Sequence, residues 1–339
     1  MTTRPPATKV PTVALSNGVE LPRLMLGTCF FHTASTNDAD KNTNASKSTE
    51  KVIGFRPELA YRSLQLALQE GLYGIDTALM YRSHVPISRV LGDWFMRGSL
   101  ERQDVFLTTK VFNGPTPFAT AGTHMPHMDS LTPEQVTAHL RTQVETCLHE
   151  LSVGYIDLVV LHWPAIKNSQ HAGNPARRLA AWRVLEEYYE RGWIRAIGVS
   201  NCSELHLEQL MKDGAKVRPM VNQIEASLYL QWEDIVKYCR ANGIVVQAYS
   251  PLGRNARELC DDPVVASVAA KHKKNPGQIA LRYLLQKGYA VTFMSQSAER
   301  IRTNQHVFDF DLDDDDLEKL GSLARPGGGT GMPSPYGMT

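Results

Sequence analysis

Four side chains in this sequence are of the types needed to move a proton beside a polarised carbonyl group. They are Asp76 and Tyr81 in Gly-Ile-Asp-Thr-Ala-Leu-Met-Tyr, Lys110 in Leu-Thr-Thr-Lys-Val, and His162 in Val-Val-Leu-His-Trp-Pro. A phenol with a pKa of about 10 is a poor acid at neutral pH, and a nearby ammonium lowers that value by favouring phenolate. Lys110 is the candidate ammonium, with Asp76 to hold it in place. His162 can orient a carbonyl oxygen and donate a hydrogen bond as negative charge develops on it. Taken singly, each has an ordinary role: a helix cap for Asp76, a paired charge for Lys110, a satisfied core histidine for His162 and a packing aromatic for Tyr81. Their joint occurrence at the ends of consecutive strands carries the chemical reading.

The elements that must position them follow from the hydrophobic pattern. Val10–Leu15 and Val19–Leu24 flank Asn17-Gly18, a strong signal for a two-residue hairpin turn. Strands are then predicted at Leu24–Thr28, Tyr73–Asp76, Val105–Lys110, Ile156–His162, Ile194–Ser200, Met220–Gln223, Ile244–Tyr249 and Ala290–Met294. Helical patterns separate them. Thr132-Pro133-Glu134-Gln135 and Asn275-Pro276-Gly277-Gln278 each supply an N-cap, an early proline and a glutamine three residues on, and Ser203-Glu204 opens a further helix. Gly192, Gly243 and Gly288 fall between helix and strand, where a left-handed C-cap needs glycine. Successive βα units of this kind form a parallel sheet buried on both faces. No GxGxxG occurs, so the expected fold is a (β/α)8 TIM barrel with an N-terminal β-hairpin, rather than a doubly wound sheet. The whole chain, 1–339, reads as one catalytic domain, with the barrel at about 10–324 and a flexible tail at 325–339.

Three stretches exceed a minimal barrel. Residues 32–56 and 113–131 are polar and turn-rich and read as surface βα loops at the face where barrel active sites lie, and the tail is rich in Gly and Pro. The net charge of +1 gives no bulk attraction to nucleic acid or anionic membrane. No apolar run approaches the roughly 18 residues of a membrane helix. The polar N-terminus lacks a secretory pattern, and the C-terminal Gly-Met-Thr matches no retention or peroxisomal address. Five cysteines, none spaced as CxxC, fit reduced thiols in a cytoplasmic protein and no metal site.

The segments 74–81, 107–111, 161–164, 197–201 (Ile-Gly-Val-Ser-Asn), 221–225 (Val-Asn-Gln-Ile-Glu) and 248–253 (Ala-Tyr-Ser-Pro-Leu-Gly) together resemble the aldo-keto reductase family, over about Val10 to Leu323. The family's Asp, Tyr, Lys and His tetrad maps onto Asp76, Tyr81, Lys110 and His162. The resemblance implies hydride transfer from NAD(P)H to an aldehyde or ketone, with Tyr81 as general acid. It implies that the nicotinamide carboxamide meets Ser200, Asn201 and Gln223, that the ring stacks on Tyr249, and that Gly27, Thr28 and Asp76 lie near its ribose. The pyrophosphate is expected at Ser250, Leu252 and Arg254. The adenosine end is expected at Met294, Ser295, Arg300 and Asn304.

The chain departs from the family at three places, one of them Ala226-Ser227-Leu228 after Glu225, where the family often has His-Pro. Met294 stands where a lysine usually meets the 2′-phosphate, so NADPH stays the favoured cofactor while NADH becomes possible, with Arg300 and Arg302 as other sources of positive charge. After Tyr81 the usual Asn-Glu is replaced by Arg82-Ser83-His84-Val85-Pro86, read as a short insertion with His84 either in a solvated loop or over the pocket. The pocket for a small-molecule carbonyl substrate is expected from Cys29, Phe30, Phe31, Phe112, Phe118 and Trp163, with the tail helping to frame it, and apolar as a result. The family default is a monomer. Two other readings are an NAD-preferring alcohol dehydrogenase on the same site and a nicotinamide-binding regulatory subunit with little turnover.

Overall fold

The structure, a computed structural model, describes residues 10–34, 52–113, 131–165, 172–253, 256–326 and 328–337. Its strands are β1 (Thr12–Ala14), β2 (Glu20–Pro22), β3 (Leu24–Gly27), β4 (Phe31–Ala34), β5 (Val52–Phe55), β6 (Gly74–Asp76), β7 (Phe106–Val111), β8 (Leu158–Leu161), β9 (Ile197–Ser200), β10 (Val221–Glu225), β11 (Val245–Tyr249) and β12 (Ala290–Phe293). Strands β3 and β6–β12 pair in parallel and close into a barrel, in the order β10-β11-β12-β3-β6-β7-β8-β9. All eight predicted barrel strands are present, most trimmed by one to three residues, while β7 and β10 run one and two residues further at their C-terminal ends.

Because side chains alternate along a strand, every strand divides into an inward and an outward set. Met25, Phe106, Leu158, Val160, Val221 and Ala290 pack together inside the barrel. Ile75, Leu107, Val111, Val159, Leu161, Ile197 and Val199 face the surrounding helices. Counting on by twos from the inward set reaches Gly27, Asp76, Lys110, His162, Ser200, Gln223, Tyr249 and Met294, at or just past the C-terminal strand ends. The strand period alone therefore aims these residues at the barrel mouth.

The floor is closed by the β1–β2 hairpin, whose Leu15, Val19 and Leu21 join the inner core. Its turn differs from the expected two-residue type. Ser16, Asn17 and Gly18 form a three-residue connection, with Gly18 N–H donating to Leu15 O at 2.9 Å and only Gly18 left-handed, at φ 82°. The Asn17 side chain donates to Arg195 O at 2.8 Å and accepts from Val19 N at 3.2 Å, so it ties the hairpin to the floor.

The predicted capping boxes form at Thr132 and Asn275, opening the helices Pro133–Leu151 and Pro276–Gln286, and Ser203 caps Glu204–Lys212. Gly192, Gly243 and Gly288 are left-handed as expected. The 32–56 loop contains structure of its own: β4 and β5 pair antiparallel from Phe31↔Phe55 to Ala34↔Val52. No helix among the described residues is long and apolar enough to cross a membrane.

The tail is not the loose terminus expected. Arg325 N donates to Tyr229 O at 3.1 Å, Thr330 N–H donates to the Glu225 carboxylate, and the Tyr336 hydroxyl donates to Glu204 at 3.0 Å. Gly328 passes so close to Tyr229 that a Cβ there would lie 2.0 Å from the Tyr229 carbonyl oxygen, which only glycine can allow.

Candidate active site

Asp76 ends β6 and Lys110 sits one residue before the end of β7, and the register sets them side by side. Lys110 Nζ donates to Asp76 Oδ1 at 2.6 Å and to Thr77 O at 2.9 Å, while Gln223 Nε2 donates to Asp76 Oδ2 at 2.6 Å and to Gln247 Oε1 at 2.8 Å. Both carboxylate oxygens are thus held, and neither member of the buried ion pair is exposed by more than 5%. Gln223, which could have been a solvated strand end, is buried and bonded to this carboxylate.

Tyr81 lies in a single 3-10 turn, Leu79–Tyr81, with its amide donating to Ala78 O at 3.0 Å. The next residue, Arg82, is left-handed at φ 54°, a conformation uncommon for any non-glycine residue and one that reverses the chain at once. The Tyr81 hydroxyl is 3.5 Å from His162 Nε2, the two rings meet edge-on at 5.8 Å, and Lys110 Nζ stands 5.2 Å from the phenol ring centre. The tetrad is therefore assembled as one cluster at the mouth.

The electrostatics correct one expectation. Burial, reinforced by Cys29 and Asp76, holds the Tyr81 phenol well above its ordinary value. The Lys110 charge does not override this, because it is spent on Asp76 and Thr77 O. Tyr81 therefore remains a protonated O–H donor throughout the neutral range. Burial, and then the Lys110 charge, push the His162 imidazole well below its ordinary value. His162 Nδ1 is buried without a hydrogen-bond partner among the described residues. A neutral ring pays less for an unmet acceptor lone pair there than for an unmet N–H, so its proton belongs on Nε2, facing Tyr81.

These shifts fix a pH dependence. Burial also lowers His84. Both imidazoles stay neutral in the fold and protonate at about 6.5 when it opens, so the stability they contribute is complete above about 6.5 and is lost as pH falls towards their folded values. Melting temperature should drop between about pH 7.5 and about pH 5.5. The drop should shrink in His84→Gln and His162→Gln, and an undiminished drop in both would exclude these histidines as the cause.

Aromatic and thiol groups surround the cluster. Phe112 packs on the His162 ring at 4.9 Å and Trp163 stacks on it at 6.5 Å. Phe55, unforeseen from the sequence, reaches the Tyr81 ring at 5.8 Å from the end of β5. Cys29 lies beside the Tyr81 hydroxyl, its thiol pushed up to about 11 mainly by burial. Phe30 is buried. Phe118, the Phe31 side chain and most of the 113–131 loop lie outside the described residues.

The residues expected at the nicotinamide also converge. Asn201, left-handed at φ 58°, donates from Nδ2 to His162 O at 3.0 Å and to Ser200 Oγ at 2.9 Å, and its Oδ1 accepts from the Tyr249 hydroxyl at 2.9 Å. Ser200 Oγ donates to Gln223 O at 2.7 Å, and Thr28 donates to Asp76 O from both its amide (3.0 Å) and its hydroxyl (3.1 Å). This set offers amide and hydroxyl donors and acceptors beside an aromatic ring, which fits a carboxamide-bearing ring. A cavity of about 220 Å³ opens beside Asn201 and Tyr249, roofed by tail residues Gly331–Pro335 and walled by Glu225 and Trp232.

Further along the rim, Ser250 is left-handed at φ 51°. Leu252 and Asn304 both border Gly277, each 3.9 Å from where a side chain there would begin. Ser295 is buried, its carbonyl accepting from Ser63 Oγ. Met294 is 46% exposed and leans on Gly27. Arg302 is bound through two nitrogens to Glu70 at 2.7 Å, whereas Arg300 is exposed on the same helix. Arg254 lies outside the described residues.

The insertion expected after Tyr81 is not a loop. His84 begins the helix His84–Met96 and is fully buried, because the left-handed Arg82 turns the chain directly into that helix.

Comparison with known proteins agrees with this arrangement. Residues 43–325 match the model of the aldo/keto reductase family. The chain is 32% identical over 312 residues to glyoxal reductase from Bacillus subtilis, covering 92% of each. It superposes on the crystal structure of an aldo-keto reductase from a Medee basin deep-sea metagenome library with TM-score 0.72 and 30% identity, covering 94% of this chain and 95% of that one. An aldo-keto reductase solved in complex with NADPH gives TM-score 0.73 at 29% identity, covering 94% of this chain and 88% of that one.

Proposed function

Since the chain belongs to the aldo-keto reductase family, we propose that it reduces an aldehyde or ketone to the alcohol, with NAD(P)H as reductant. The observation that carries this is the Tyr81 hydroxyl set 3.5 Å from His162 Nε2, beside the Lys110–Asp76 pair. Bound at the mouth, NAD(P)H would supply the hydride that the carbonyl carbon accepts. Ser200, Asn201 and Gln223 would hold its carboxamide, giving up present partners to do so, and Tyr249 would offer a stacking face. His162, neutral and carrying its proton on Nε2, orients the carbonyl oxygen. Tyr81 donates the proton that this oxygen needs as the carbonyl double bond opens, and Lys110, clamped by Asp76, offsets the phenolate charge left behind.

The aromatic surround of Phe30, Phe55, Phe112 and Trp163 favours uncharged carbonyl compounds. One catalytic unit and a monomer are proposed, the latter as the family default. All five cysteines are unpaired, which suits the cytoplasm. Loss of NADPH absorbance in the presence of small dicarbonyls, aromatic aldehydes and quinones tests the reading. Binding of NADPH without turnover of any of them would leave a regulatory protein instead.

The cofactor choice turns on Met294. NADPH is the favoured reductant, with Arg300 as the cation that would meet the 2′-phosphate, and NADH remains usable because one charge-assisted contact would be missing. Met294→Lys should tighten NADPH binding about tenfold or more, the worth of one such contact, and leave NADH nearly unchanged. An equal gain for both cofactors would mean that the residue does not face the 2′ position.

A further inference from the structure

The buried histidine three residues past Tyr81 has no part in the chemistry above. It also lies in the segment 82–86, which stands where the resembled family has Asn-Glu. His84 Nε2 is 2.8 Å from Thr109 Oγ1, and its Nδ1 is 3.2 Å from Glu150 Oε2. Thr109 lies on the outward set of β7, immediately before the inward Lys110. Glu150 and Cys147 belong to the last turns of the helix Pro133–Leu151, and the Cys147 thiol also interacts with Thr109. The preceding Ser83 is bonded at 2.7 Å to Thr77 Oγ1, beside Asp76, and lies 3.4 Å from Thr28 Oγ1.

We propose that His84 is a positioning residue. Hydrogen-bonded to Thr109, and facing the Glu150 carboxylate at ion-pair distance without a well-aligned hydrogen bond to it, the ring clamps the turn carrying Tyr81 onto the strand carrying Lys110. The physical case is one of strain and leverage. The left-handed Arg82 opposes the fold of this turn, and the turn's own bonds are short-range: Tyr81 N to Ala78 O at 3.0 Å and Arg82 N to Leu79 O at 3.2 Å. A fixed point beyond Arg82 is needed to set where the phenol comes to rest. His84 supplies it from the back of the sheet. The carboxylate of Glu150 favours the imidazole proton on Nδ1, which leaves Nε2 to accept from the Thr109 hydroxyl. Burial holds the ring below its ordinary pKa, so with Glu150 and Lys110 as the charged groups facing it, the acceptor lone pair is kept at neutral pH.

The clamp rests on the reductase reading, and its test separates the two. Gln can reach Thr109 from position 84 and Asn cannot, although Asn still reaches towards Glu150. In folded protein, kcat with NADPH and glyoxal should fall about tenfold or more in His84→Ala and His84→Asn, recover in His84→Gln, and fall equally in Thr109→Val. The double variant His84→Ala/Thr109→Val should be no worse than either single one, and NADPH Kd should stay within about twofold of wild type throughout. Hydrogen exchange at the Tyr81 and Arg82 amides should rise in the same variants and return in His84→Gln, whether or not a substrate has been found. If kcat is unchanged in folded His84→Ala, or if Asn rescues as well as Gln, the clamp is refuted while the reductase survives. Inactive wild-type protein overturns the reductase reading alone, and amide exchange then decides the clamp.

Discussion

Tyr81→Phe should lose about 10²–10⁴-fold in carbonyl reduction, the usual worth of a positioned general acid, while binding NADPH as tightly as the parent. The substitution removes one oxygen and keeps the ring that packs on Phe55 and meets His162 edge-on. Fold and pocket shape should therefore survive, and melting temperature serves as the control. Because Tyr81 is held above its ordinary pKa, the parent should keep its activity far into the alkaline range before the phenol ionises. Pre-steady-state reduction by NADPH is the measurement of choice, since it reads the chemical step free of product release. A Tyr81→Phe variant reducing at a tenth of the parental rate or better would transfer the acid role to His162 or to solvent.

Lys110→Met should be the most damaging of these changes to stability and should also lower the rate. It strands the Asp76 carboxylate in a site where the pair is at most 5% exposed, and breaking a buried pair from one side costs about 3–5 kcal/mol. It also removes the cation that offsets the phenolate, which is expected to cost about 10²-fold or more in kcat. The two effects come apart in Asp76→Asn/Lys110→Met. Removing both charges should restore most of the lost stability, because among the described residues the Asp76 carboxylate bonds to Lys110 and Gln223, and an amide meets Gln223 almost as well. Activity should stay low. Urea unfolding and kcat on the same preparations decide it, and recovery of activity along with stability would show that the lysine acts only by keeping the site folded.

The sequence made most of the barrel legible because the strands are short β-branched runs with caps and glycines between them. The inward parity then followed from the strand period, which is why Asp76, Lys110, His162, Ser200 and Gln223 meet. What escaped was set by contacts between distant segments. Nothing local marks His84 as buried, because a polar residue near a proline reads as a loop until the left-handed Arg82 is known. Arg302 looked available for a phosphate, and its pairing with Glu70 joins residues 232 positions apart. The Gly/Pro-rich tail lacks a periodic pattern, so its anchoring on Tyr229, Glu225 and Glu204 could not be read from composition. Asn17-Gly18 carried a hairpin signal, but the Asn17 side chain had a longer-range use at Arg195.

The placement of the two chain ends has a practical side. Thr12 begins the hairpin that plugs the floor of the barrel, whereas Gly337 closes a segment that roofs the cavity beside Asn201 and Tyr249 at the opposite end. A fusion close behind Gly337 would start near Asn201 and Tyr249 and compete with Tyr336 for its seat on Glu204 and Trp232. A purification handle or a surface tether therefore belongs ahead of the hairpin, where it leaves the mouth of the barrel clear.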